Sequence, residues 1–363
     1  MRRTPLYDAH VAAGATLVDF SGWEMPVRYT GDMEETRHVR TKAGMFDLCH
    51  MGRLELTGPE AVAAADYIVS CNVARLKEGV CKYGLLLNES GGVIDDVLVY
   101  RDSDRVHVII NAGNRERDFR HFLEQAGAFD CEVANLSDEQ TMIALQGPAV
   151  VALVDSLCDA DLASVGYYRF TRGKVLGIDC LISRTGYTGE DGFELFFAKD
   201  RARGMWDGLL DRGAQADLRP IGLAARDILR TEAGMPLYGH ELDDQTNPLE
   251  AGLTFGVDLD KDGHGMAAMK AAIEKGLPRR LIGLTVPGRV PRPGYGILVD
   301  GETVGIVTSG TVSPSLDTNI AMGWVPGGIN LEGRRVEVDI RGKPVEAHPV
   351  AMPFYSRKRK KKG

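Results

Sequence analysis

No stretch of the 363 residues approaches the run of about 18 apolar residues that a membrane-spanning helix needs. The start, MRRTPLYDAH, carries two arginines with no hydrophobic segment behind them, unlike a secretory leader, so the cytoplasm is the expected location. There is no Walker A motif, no GxGxxG after a strand and no HExxH, which argues against nucleotide-driven and zinc-hydrolytic chemistries. The six cysteines (Cys49, Cys71, Cys81, Cys131, Cys158, Cys180) form no CxxC and no Cys/His cluster. Neither a metal site nor a disulfide framework is expected, and reduced thiols are the default. A formal charge of −8 lacks the basic surface of a general nucleic-acid binder. Among eight histidines, His50 and His240 have the most suggestive neighbours, but neither has a Ser or Cys partner at readable spacing. No nucleophilic triad is indicated, and structural roles are favoured for both.

What is present is an ordinary globular composition, 44% hydrophobic and 26% charged, in a chain long enough for two or three domains. Thr4-Pro5 opens a short amphipathic segment to Ala13, and a helix is expected over 32–43, stopped by Gly44 as a C′ residue. RLELTGPEAVAAADYIV reads as strand, Gly58-Pro59 turn and helix, and MIALQGPAVVALVDSLC repeats it around Gly147-Pro148. Further strands and then a helix follow each copy in the same order. This predicts an α+β fold, a duplicated ferredoxin-like (split βαβ) region over about 1–275. A helix is expected over 221–233, between Pro220 and Gly234, then a Gly- and Asp-rich link past Leu249. From about 280 to 363, short β runs broken by Gly, Pro and Asp-Gly turns predict a small C-terminal antiparallel β-barrel. The terminal RKRKKK is either a solvated end or a dock for an acidic partner.

The most informative stretch is YGLLLNESGGVIDDVLVY, 83–100, a hairpin with two acids inside a strand. Neighbouring strand residues point to opposite faces, so Asp95 and Asp96 do not form a dyad with each other. Asp96 shares its side with Ile94, Leu98 and Tyr100, an apolar face on which a carboxylate must be paired, hydrogen-bonded or functional. In RTGYTGEDGFELFF, Glu190 and Asp191 read as solvated turn residues, whereas Glu194 lies between Phe193 and Leu195 and needs a partner. That partner is either an Arg of the chain or a ligand edge offering two parallel N–H groups. Arg226 sits in the first turn of its helix, where the macrodipole disfavours a cation, with Asp227 as possible local compensation and Arg230 extending to solvent. Tyr83, Tyr100, Tyr168 and Tyr187 are core residues or the walls of a slot for a flat ring.

Together LYDAHVAAGATLVDFSGWEMPVRY, MFDLCHMG, LLLNESGGVIDDVLVY, LQGP, SRTGYTGEDGFELF, GLAARDILRTEAGMPLYG and the terminal MPFY resemble the aminomethyltransferases, the T-proteins of the glycine cleavage system. The resemblance spans residues 4 to 356. It implies transfer of a one-carbon unit from an aminomethyl-lipoyl H-protein to tetrahydrofolate, with release of ammonia and no metal. It also implies that Asp96, the second Asp of GG-x-x-DD, is catalytic, and that Glu194 and Arg226 hold the pterin. Tyr83, Tyr100, Asn111, Tyr168, Tyr187 and Tyr355 are implied to line the folate site, while Asp95, on the opposite face of its strand, is read as structural. The chain departs from the family at Cys49, where Ser is common, at Phe255, where Trp is common, and in DGHGMAAM. Relatives of the same fold include folate-dependent demethylases, the runner-up reading, folate domains of sarcosine and dimethylglycine oxidoreductases, and a non-catalytic folate-binding factor whose Lys-Gly-Cys motif is absent here.

Overall fold

The computed structural model describes residues 1–357, and most of the basic tail therefore lies outside the described residues. The two copies are visible as two sheets. In the first, Gly52–Thr57, Val80–Leu87, Val93–Arg101, Arg105–Ile110 and Glu132–Asn135 form five strands with the second at one edge and the fifth at the other. In the second, Gln140–Gln146, Phe170–Val175, Ile178–Ser183, Gly192–Ala198 and Leu218–Pro220 take the same order. One strand is added: Ala43–Asp47, from before the first copy, sits between Gln140–Gln146 and Leu218–Pro220. The halves are thus interleaved in sequence.

Both shared GP turns need their glycine. Gly58 and Gly147 have φ of +109° and +132°, and a side chain there would meet Asp130 O at 2.9 Å or Lys42 O at 2.4 Å. Gly44, expected to cap a helix, lies inside Ala43–Asp47 instead; the helix is Asp32–Thr41, and Val39 and Ile221 fill the space a Cβ would take. The VDFSGWEMPVRY stretch forms a hairpin, Thr16–Phe20 with Trp23–Arg28.

Each sheet buries one face under its own helices. Ala61–Ile68 and Arg115–Ala126 cover the first over Leu54, Leu56, Val97 and Val99; Val150–Asp155 and Ala202–Arg212 cover the second over Ile143, Leu145 and Leu195. The remaining faces meet in a central layer of Phe46, Tyr100, Ile109, Met142, Phe170 and Phe196. A two-residue period supplies both faces of each strand, so apolar residues on both make a buried sheet.

The barrel closes from Arg279–Thr285, Thr318–Pro326, Glu302–Ser313, Gly296–Val299, Val336–Asp339 and Pro344–Val350. The predicted link before it contains a helix, Met266–Glu274, whose Met266 and Met269 pack on Leu85, Leu87 and Val93. Leu223–Glu232 joins the parts. Its Arg230 is 1% exposed and bonds Glu241 at 3.0 Å, Asp227 at 2.7 Å and the barrel's Ser309 at 2.8 Å, rather than extending to solvent. Glu190 is also buried, not solvated: Arg40 bonds it at 2.9 Å and Glu232 at 2.7 Å. Losing one partner of such a buried pair costs about 3–5 kcal/mol. All six cysteines are free, and no helix among the described residues is long and apolar enough to cross a membrane.

Candidate active site

Between the two sheets, at the end covered by Leu223–Glu232, lies a cavity of about 470 Å³. The 80–101 hairpin brings Tyr83 and Asp96 to it, the strand end after Ile110 brings Asn111, and the second half brings Tyr168, Tyr187 and Glu194. Arg226 enters from the helix.

Asp96 is held from behind. Asn111 donates through Nδ2 to Asp96 Oδ1 and to Asp95 Oδ1, both at 2.9 Å, and its backbone N–H donates to Asp95 Oδ2 at 3.0 Å. One amide therefore spans both acids. Burial, and then the charge of Asp95, push the Asp96 carboxyl up to about 7. The Tyr83 hydroxyl lies beside Asp96, buried and without a geometrically formed hydrogen bond among the described residues.

At the other end, Thr185 donates to Glu194 Oε2, and Ser183 lies 2.9 Å behind Thr185. Glu194 Oε1 makes no hydrogen bond among the described residues. Burial raises this carboxyl, while Thr185 and then Arg226 oppose the rise. Arg226 Nη1 is buried without a partner among the described residues, and the guanidinium stands 4.9 Å from the centre of the Tyr187 ring. Tyr187 is fixed in turn by its hydroxyl, which donates to Pro236 O. Asp227 does not compensate Arg226, because it is taken by Arg230. A carboxylate oxygen, a guanidinium N–H and aromatic faces are left open toward one space, the outline of a site for a flat heterocycle with donors on one edge and a carbonyl beside them.

Residues 6–261 match the GCVT N-terminal domain, and residues 279–356 match the glycine cleavage T-protein C-terminal barrel domain. The chain belongs to the glycine cleavage T-protein family. Relatives named aminomethyltransferase share this length: that of Moorella thermoacetica is 47% identical over 99% of both chains, and that of Thermotoga maritima 43% identical over 98% of both. The crystal structure of the glycine cleavage system aminomethyltransferase T from Bartonella henselae superposes with a TM-score of 0.91 at 36% identity, covering 98% of each chain.

Against the residues that likeness to the family implies, seven of the nine border the one cavity: Tyr83, Asp96, Asn111, Tyr168, Tyr187, Glu194 and Arg226. Tyr100 stands behind it in the central layer, edge-on to Phe170 and Phe196, its hydroxyl buried beside Ser183 and Thr185. Tyr355 lies apart, with Arg40 3.8 Å from its ring centre and its backbone N–H bonded to Glu232 O at 2.7 Å. The face of Asp96 also differs in one member. A bulge in the hairpin leaves Ile94 outside the ladder, and it packs with Val97 and Val99, while Leu98 and Tyr100 stay on the Asp96 side.

Residues not singled out for the site border it too. His50 is 2% exposed, and burial holds its imidazole down at about 4, so it is neutral at physiological pH. Phe255, 61% exposed, stands 5.4 Å from the Tyr83 ring at the rim. The MFDLCHMG motif carried a signal for His50; nothing local marked Phe255 as a rim residue.

Proposed function

We propose that this chain, an aminomethyltransferase of the glycine cleavage system, binds tetrahydrofolate in the 470 Å³ cavity and receives the one-carbon unit from a lipoyl-bearing H-protein there. The observation that carries this reading is the pair of open groups at one end of the cavity, Glu194 Oε1 and Arg226 Nη1. A pterin offers N3–H and a 2-amino group to the carboxylate and its O4 to the guanidinium, so one ligand satisfies both. Tyr168 and Tyr187 flank the ring. The reacting nitrogens then fall toward Asp96.

In the transfer, the methylene carbon leaves both sulfur and nitrogen and becomes bonded to two folate nitrogens. Those nitrogens give up two protons; one completes ammonia and the other the lipoyl thiol. Asp96, poised near neutrality, takes a folate N–H proton or stabilises the positive charge that develops as ammonia departs. Neutral His50 adds no charge to the site. The cytoplasm is the proposed location, and no metal is assigned a role.

The deciding experiment supplies tetrahydrofolate with aminomethylated H-protein or with methylated small molecules. Methylenetetrahydrofolate and ammonia in equal amounts are expected from the first. Methyltetrahydrofolate from the second, with none of the former, would overturn the reading in favour of demethylation.

A further inference from the structure

Behind Asp96 stands another carboxyl that does not border the cavity. Asp118 lies in the first turn of Arg115–Ala126, 0% exposed, its backbone N–H donating to Asn114 O at 2.8 Å. Neither of its carboxyl oxygens meets an N–H or O–H donor among the described residues. The side chain abuts the carboxyl of Asp95 instead. Asp95, also 0% exposed, accepts from Asn111 N at 3.0 Å, Asn111 Nδ2 at 2.9 Å and Asn114 Nδ2 at 2.9 Å.

Two touching buried carboxyls cannot both be ionised, so one keeps a proton. Their partners decide which. Asp95 has three N–H donors, which favour the anion; Asp118 has none, which favours the acid. The cation that bears on Asp118, Arg117 of the same helix, is engaged by Asp244 and Tyr238. The other groups facing this cluster are Tyr83 and Tyr187 around Asp96 and Tyr238 near Asp95. All are neutral phenols. Burial and the Asp95 charge hold the Asp118 carboxyl up at about 11.

We propose that Asp118 is a positioning residue for the transfer: as a neutral acid it donates its O–H to the Asp95 carboxylate, holds that carboxylate in place, and through the Asn111 amide sets the orientation and proton affinity of Asp96. The chain of contacts is Asp118 to Asp95, Asp95 to Asn111, Asn111 to Asp96. Without the Asp118 donor, the Asp95 carboxylate loses a hydrogen bond that shares its charge, more of that charge bears on Asp96, and the Asn111 amide that orients Asp96 is held less firmly. This inference rests on Asp96 being the catalytic carboxylate.

Two variants separate the donor from the volume. Asp118→Asn keeps an N–H for Asp95, whereas Asp118→Ala does not. Asp118→Asn is expected within about threefold of the parent in kcat, with the acid limb of kcat/KM unmoved. Asp118→Ala is expected to lose about tenfold or more in kcat through the less firmly oriented Asp96, with folate KM within about threefold and the acid limb displaced about one pH unit upward. An unmoved acid limb in Asp118→Ala, or equal losses in both variants, would overturn the proposal. Infrared spectroscopy at pH 9 without substrates reads the proton directly. The parent-minus-Asp118→Asn difference is expected to hold a protonated-carboxyl band, and an ionised-carboxylate band there would sink the idea even if Asp118→Ala does not fold. Should Asp96→Asn retain turnover, the catalytic reading of Asp96 fails while the infrared result still stands.

Discussion

The interface between the two sheets holds two cavities of similar size, about 470 and 530 Å³, and they treat their polar groups differently. The larger, at the opposite end, is bordered by Arg53, Tyr100, His107, Arg172 and Phe196. Its charges are largely met within the protein, while Arg53 Nε and the Tyr100 hydroxyl are buried with no partner among the described residues. Arg172 bonds Asp102 at 2.5 Å, His107 lies 3.3 Å from both Asp102 and Glu55, and Arg53 donates to Ser137 O at 2.6 Å. Its Glu139 and Asp179 are exposed. In the smaller cavity, Glu194, Arg226 and Tyr83 keep polar atoms with no partner among the described residues, and Asp96 is held from behind by Asn111. Leaving such groups unmet costs stability, and only the smaller cavity, among the described residues, turns an open carboxylate oxygen and an open guanidinium N–H toward one space. The open pair of opposite charges, and not volume, therefore marks the site.

The comparison breaks most sharply at Asp96. Asp96→Asn is expected to lower turnover by about 100-fold or more, the range of a lost general base, with folate affinity within about fivefold. Near-normal turnover would show that the cavity's chemistry lies elsewhere. The same variant tests the cost of the open site. In the folded protein the Asp96 carboxyl is raised to about 7 from 3.8, so the native state binds its proton more tightly than the unfolded chain does. Its contribution to stability is complete below pH 3.8 and is lost as pH rises through 7. Asp96→Asn should accordingly match the parent at pH 4 and exceed it at pH 8 by about 1–3 kcal/mol in denaturant melts. For the parent enzyme, kcat/KM should fall with acid below about pH 7, since the ionised carboxylate is the active form.

At the other end of the cavity the expected effect is on binding. Glu194→Gln replaces an acceptor pair with one acceptor and one donor, and Arg226→Lys replaces a fork with a point charge. Each should weaken tetrahydrofolate binding by about 10- to 100-fold in calorimetry, the worth of one charged hydrogen bond, while kcat at saturation changes less. Unchanged folate affinity in both would move the pterin out of this pocket.

How far this was legible beforehand depended on the range of the contacts. The repeat of strand, GP turn and helix exposed the duplication because each unit is local. The strand Ala43–Asp47 hid because its partners are Gln140–Gln146 and Leu218–Pro220, about a hundred residues or more away. Alternation placed Asp96 correctly relative to Leu98 and Tyr100 but misplaced Ile94, since a bulge shifts phase by one residue. The two arginines of the Leu223–Glu232 helix look alike in sequence. Only Glu241 and Ser309, 11 and 79 residues from Arg230, decide that Arg230 is a strut and leave Arg226 open. Helix Met266–Glu274 was concealed by its glycine-rich approach, where Gly265 takes φ +72° to begin it.

The smallest expected effect is the control on the larger cavity. Arg172 is a cation at its mouth, as Arg226 is at the site, but its charge is spent on Asp102, and its side chain is 58% exposed. An exposed ion pair is worth roughly 0–1 kcal/mol, so Arg172→Ala should shift the denaturation midpoint only slightly. Burial acts on Asp102 in the raising direction, but the bonds from Arg172, Ser103 and His107 hold its carboxyl below the usual range; without Arg172 that depression should lessen. Folate affinity and turnover should stay within about twofold, because no contact of Arg172 reaches the 470 Å³ cavity. A loss approaching that of Arg226→Lys would mean that the two cavities act as one site through the central layer, and that satisfied polarity is no guide to which of them works.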